Sequence, residues 1–259
     1  MAEDKEGDGR ENTVEWILGD LASVHDRITL LDQALGAQRF DRFARRLRTL
    51  DIHADPAKTA FNHMVAEDKN KHFIWLQLAS CGDELKAAWN QIRLAHLSGA
   101  RRSGRVALEH LAAGVLEGLP TPLIGAQWPD LPKKKLPIWE MSMPRDYRTG
   151  GSQPPYIEAS TFAHILLKVP PTLPGWTTEK ATKLREYLST YLHPFAHGSA
   201  QGISYLVAQT TTENPVVGSS YHESCIPLYT AMADELIGMA ELFGDILYAA
   251  HQYLGRHRQ

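Results

Sequence analysis

The side chains best suited to chemistry gather in one short stretch, Tyr191-Leu-His-Pro-Phe-Ala-His197-Gly-Ser-Ala-Gln201-Gly202. His193 and His197 stand four apart, so on one helix they share a face and have the spacing of two metal ligands. A metal needs a third or fourth donor, and neither HExxH nor a paired Glu-x-x-His supplies it. His164, His222 and Glu223 would have to converge in space to do so. A different reading makes His193 a helix cap and Pro194 the first helical residue, with His197 one turn in. Gly198 and Gly202 then admit a neighbour or ligand close to the backbone, and the unpaired N–H groups of a helix start attract anions such as phosphate. The plainest reading treats both histidines as hydrogen-bonded core or cap residues and both glycines as helix contacts.

A second cluster is Arg101-Arg-Ser-Gly-Arg105-Val-Ala-Leu-Glu109-His110. Arg105 and Glu109 are one helical turn apart, which permits an ion pair along the helix. If that face is buried, the arginine that holds Glu109 also presents a fixed cation to a ligand phosphate or carboxylate. The alternative is a structural salt bridge or a solvated edge. Two basic runs complete the inventory: Arg39, Arg42, Arg45, Arg46 and Arg48, and then Lys133–Lys135. The arginines interleave with Phe40, Phe43, Leu47 and Leu50, so an amphipathic helix with a solvated arginine face is expected rather than a nucleic-acid surface. Walker A, GxGxxG, a serine-hydrolase elbow and CxxC pairs are all absent from the sequence. That argues against P-loop hydrolysis, Rossmann redox chemistry and zinc ribbons. No cofactor and no metal is expected.

The elements that must position these groups are helices. After a short acidic start, Val14, Ile17, Leu21, Val24, Ile28, Leu31 and Leu35 recur at three- and four-residue steps, with Asn12 as the start signal and Gly36 closing the helix. A second helix is expected over Arg39–Leu50. A third runs from about Lys71 to Leu97, with Ile74, Leu78, Cys81, Leu85, Ala88, Ile92 and Ala95 on its buried face. Ser103 and Gly104 lead into a central helix, Arg105–Gly118, that has little polar surface. Residues 119–175 hold 11 of the 15 prolines, so only a short helix, about Ile157 to Lys168, is expected inside this insert. Its tryptophans suggest that it packs over the other helices. Helices resume over Thr178–Leu192, again from Pro194 to Gln209, and finally after Pro227. The expected fold class is all-α, a multi-helix bundle of long near-antiparallel helices with a Pro-rich irregular insert. Residues 1–11 read as a disordered acidic tail and 12–259 as a single domain.

Composition agrees with that picture. The chain has 259 residues, 43% hydrophobic and 22% charged, with a net charge of −3, close to the average for a globular protein. The first 13 residues carry five acids and two bases, so the rest is neutral. This excludes a generally basic nucleic-acid coat protein and a wholly disordered chain. Cys81 and Cys225 are the only cysteines and form no disulfide framework, so a reducing, cytoplasmic setting is expected. Neither a signal peptide nor a membrane span is read from the sequence.

The layout and two motifs resemble a broad set of bacterial helical proteins related to the HEPN (higher eukaryotes and prokaryotes nucleotide-binding) superfamily. An Arg-x-x-x-Glu helix is matched by Arg105 and Glu109. A later aromatic-x-His-Gly segment ending in Gln is matched by Phe195, His197, Gly198 and Gln201, with the Gln one position early. The resemblance covers residues of about 70–255. It implies metal-independent action on RNA or nucleotides in stress or phage defence, a homodimer, and a site of Arg105, Glu109, His193 and His197. Within it His197 would be the acid/base and Arg105 the phosphate-stabilising cation. Active HEPN proteins place an Arg and a His four to six residues apart. Arg105 and His110 have that spacing on an earlier helix, and Arg185 precedes His193 by more. The His193/His197 spacing is also similar to the DinB-type metal-dependent bundles, an alternative reading. A non-catalytic dimerising interaction protein is the third.

Overall fold

Leu31, Leu35, Phe43 and Leu50 recur on one stripe and are all buried, which is what commits residues 25–50 to a helix against the core, α1. The structure is a computed structural model that describes residues 25–50, 69–119, 163–164, 166, 173, 175–192 and 226–256. The expected tail, the start of the first helix, most of the Pro-rich insert and the 194–209 helix lie outside the described residues. The remaining elements are α2 (Lys69–Arg93), α3 (Leu97–Gly118), α4 (Thr178–Glu186) and α5 (Ile226–Arg256), with a π-helical turn, Tyr187–Leu192, directly after α4. No strand occurs among the described residues. The fold is all-α with several helices, as the periodicity indicates.

Three boundaries differ from expectation, each for a local reason. Helical backbone runs through residue 36, yet Gly36 has φ +72°, so the path changes direction there. Arg39 compensates by donating from Nη1 to the Leu35 carbonyl at 3.2 Å. The third expected helix ends at Arg93, and α3 begins at Leu97, well before Arg105. The His96 amide donates to the Gln91 carbonyl at 2.7 Å and the Ala95 amide to Ile92 at 2.9 Å. With Ala95 at φ +61° this is a Schellman turn, built on an alanine where glycine is usual. Nothing in the apolar rhythm marks it, because Ala95 is itself fully buried. Finally, the Thr178–Leu192 helix widens into the π turn after Glu186. Ser189 Oγ donates to the Arg185 carbonyl at 2.8 Å in the same segment.

Side-chain pairs fix how the helices run. Gly118 meets Ile74, Gly114 meets Leu78 and His110 meets Gln77, so α2 and α3 form an antiparallel hairpin. A Cβ on Gly114 would lie 3.2 Å from Gln77 and Leu78, a measure of how closely the two backbones approach. On α1, Phe43 stacks on Trp89 at 4.5 Å, Phe40 meets the same ring edge-on at 5.1 Å, and Asp32 takes two 2.6 Å bonds from Arg93. These contacts run antiparallel to α2.

The arginine run of α1 does more than face solvent. Arg39 bonds Asp234 and Arg46 bonds Glu241, with a constant offset of 195 residues, so α1 and α5 run parallel along this seam. Arg42 lies between both acids, at 4.0 and 3.8 Å. Each such exposed pair contributes on the order of 0.2–1 kcal/mol. Their shared register aligns two helices that also pack apolar faces. Fifteen of the 22 residues of α3 are buried, which makes it the central helix. Ala163 and Leu166, in helical backbone, and Leu173 and Trp176 add to the core. So part of the insert packs inward.

Candidate functional site

Helix α3 carries four buried polar or charged residues, Arg101, Ser103, Arg105 and Glu117. A charge is brought into a helical core only with partners, because an uncompensated buried ion costs several kcal/mol, on the order of 3–5. Arg105 has its partner one turn on: Nε donates to Glu109 Oε1 at 2.9 Å, with the two side chains 7% and 17% exposed. The sequence expectation that Arg105 and Glu109 form an ion pair on a buried face is therefore met. Arg101, one turn before Arg105, is 2% exposed and reaches across to α5, Nη2 lying 3.3 Å from Glu235 Oε2. Arg101, Arg105 and Glu109 thus occupy successive turns of one face, each turn rising about 5.4 Å.

A half-open cavity containing about 310 Å³ of free space lies where α3, α5 and the π turn meet. Its polar groups come from Arg101, Glu235 and Tyr187, and apolar walls from Ile92, Leu236 and Met239. Burial holds the Glu235 carboxyl above its usual range, and the neighbouring Arg101 only partly offsets this. The cavity depends on a glycine. A Cβ at Gly238 would stand 2.9 Å from the Tyr187 hydroxyl, so only a bare α5 backbone lets that ring lie where it does. π turns recur at functional positions in helices, and this one ends one residue before His193.

His110 lies on the α2 side of α3, where Nδ1 meets Gln77 Oε1 at 2.6 Å. The amide oxygen can only accept, so Nδ1 carries the proton. Burial lowers the His110 pKa from its ordinary 6.5, against the opposing pull of Glu84 and Glu109. His110 is thereby occupied at the α2–α3 seam. Cys81 is fully buried and its thiol is pushed up by desolvation, which makes it an inert core residue.

Of the expected site residues, Arg105 and Glu109 come together as anticipated, while His193 and His197 lie outside the described residues. Among the described residues no cluster of three His, Cys, Asp or Glu side chains is arranged to hold a metal. None of the described helices is long and apolar enough to cross a membrane. Sequence reasoning quoted Arg101 without assigning it a role, and it missed Glu235 and Tyr187. Glu235 did leave a trace, as an acid set between the apolar residues Met232, Ala233, Leu236 and Ile237. Tyr187 left none, since the π turn that places it follows no periodic pattern. Comparison of the chain with protein-family models, with curated proteins and with solved structures finds no match in any of the three.

Proposed function

We propose that this protein is a HEPN-like helical protein that acts on RNA or nucleotides at the face of α3. The observation that carries the reading is the Arg105–Glu109 pair, withdrawn from solvent in an all-helical fold and in the Arg-x-x-x-Glu register of that superfamily. A guanidinium held by a carboxylate in a poorly solvated site has a fixed direction, and its field on a phosphate is screened less than at a surface. Arg101, which lines the cavity, is the guanidinium that a bound ligand meets directly. In this reading Arg105 steadies phosphate charge and His197, with His193 beside it in sequence, moves the proton. A homodimer is the working unit.

The test is degradation or binding of RNA by the purified full chain in the presence of a chelator. The reading expects activity without metal and its loss in His197→Ala, with circular dichroism showing an intact helical fold. Full activity in His197→Ala removes the assigned proton carrier, and the absence of any RNA or nucleotide binding overturns the reading.

A further inference from the structure

We infer that the cavity between α3, the π turn and α5 is a base slot that selects guanine, read by Arg101 and Glu235. This rests on the RNA or nucleotide reading above and names the base which that site prefers. The cavity couples two features that a nucleobase also has. Its walls are apolar, with Ile92 and Leu236 beside the thioethers of Met232 and Met239, which suit the faces of a flat aromatic ring. Its polar groups form an edge, with a guanidinium donor and a carboxylate acceptor 3.3 Å apart. A ring carrying an acceptor next to a donor can bridge the two.

Guanine matches that edge most completely. Its O6 accepts from Arg101, while N1–H and N2–H lie side by side and can fill both oxygens of Glu235. Adenine and cytosine offer the carboxylate a single amino group. Uracil offers one N–H and sets a carbonyl against the second carboxylate oxygen. The difference counts because Glu235 is drawn out of water, and a desolvated carboxylate left partly unpaired is penalised. Both charged groups are held by rigid elements, since Arg101 is 2% exposed within α3 and Glu235 belongs to the 31-residue α5. The slot is therefore formed before a base arrives.

Calorimetric titration of the full chain with the 5′-monophosphates of guanosine, inosine, adenosine, cytidine and uridine tests the inference. Guanosine monophosphate is expected to bind about tenfold or more tightly than the adenosine, cytidine and uridine compounds, from one added charge-assisted hydrogen bond. Inosine monophosphate, which lacks the N2 amine, should fall between. Glu235→Gln, close to isosteric, should bring guanosine monophosphate down to the level of the adenosine compound. Comparing the ligands on the unaltered chain keeps the test valid even if the variant folds poorly. Equal affinities across the five compounds, or no binding of any, overturn the guanine slot. Degradation of an RNA oligonucleotide without guanine, measured in parallel, separates the two claims: if it proceeds as fast as that of a guanine-containing one, the slot falls and the RNA reading stands.

Discussion

Glu109→Gln removes the charge that Arg105 faces and leaves the side-chain shape nearly intact. At the observed 2.9 Å contact the charge centres are roughly 4 Å apart, worth about 4 kcal/mol at an effective dielectric constant of 20. The amide retains a weaker hydrogen bond, and Glu109 at 17% exposure keeps some water. Together these reduce the expected loss to about 2–3 kcal/mol, below the roughly 3–5 kcal/mol for a fully buried pair. For a chain of this length that lowers Tm by on the order of 5–10 °C. Urea titration followed by helical circular dichroism measures it, with the slope held constant. The double variant Arg105→Met/Glu109→Leu should recover most of the loss, because removing both charges leaves no ion unpaired. A single variant within about 0.5 kcal/mol of the parent would show a solvated pair of the surface kind, and the argument from burial would fail. The double variant also separates structure from function. If it folds well yet no longer acts on RNA, the pair serves the ligand as well as the helix.

Two further outcomes follow from the backbone and from His110. Gly36→Ala should cost about 1–2 kcal/mol, the penalty for a side chain in left-handed backbone, since a Cβ there meets nothing within 4 Å. Urea unfolding that shows no loss would mean that the chain does not bend at residue 36. His110 titrates lower in the folded chain than its ordinary 6.5, so its contribution is full above about pH 6.5 and is lost as pH falls through the folded value. The parent should therefore lose more stability than His110→Gln between pH 7.5 and 5. Parallel losses in the two proteins would show that His110 is not held neutral at the α2–α3 seam.

What the sequence makes legible is set by which interactions are local. The apolar rhythm that buries Leu31, Leu35, Phe43 and Leu50, and Leu78, Cys81, Leu85, Ala88 and Ile92, is a property of single helices. So is the Arg105–Glu109 pair, whose members are one turn apart. All of these can be read from spacing alone. Ala95 could not be read this way. A buried alanine continues the helical rhythm whether it lies in the helix or in the left-handed turn after it, and only the hydrogen bonds from Ala95 and His96 distinguish the two. The arginine run of α1 was misread for a related reason. An arginine face looks solvated until an acidic row, here Asp234 and Glu241, arrives from a helix 195 residues away.

The cavity lies at the far end of that scale, because none of its determinants is local. Arg101 and Glu235 are separated by 134 residues, and neither carries a motif. Adjacent acids on α5 serve different neighbours: Asp234 turns to α1 and Glu235 to α3, a consequence of the roughly 100° step between successive helical residues. The same step makes Glu235 the only one of the two that enters apolar surroundings, and burial is what raises its pKa. A carboxylate kept there at a cost in solvation has a structural use, the approach of Arg101, and that use alone would be served as well by two apolar side chains. Tyr187, the π turn and the bare backbone at Gly238 all converge on the same cavity. The convergence gives the charged pair a second use, in which the cavity's occupant supplies the hydrogen bonds that water has lost.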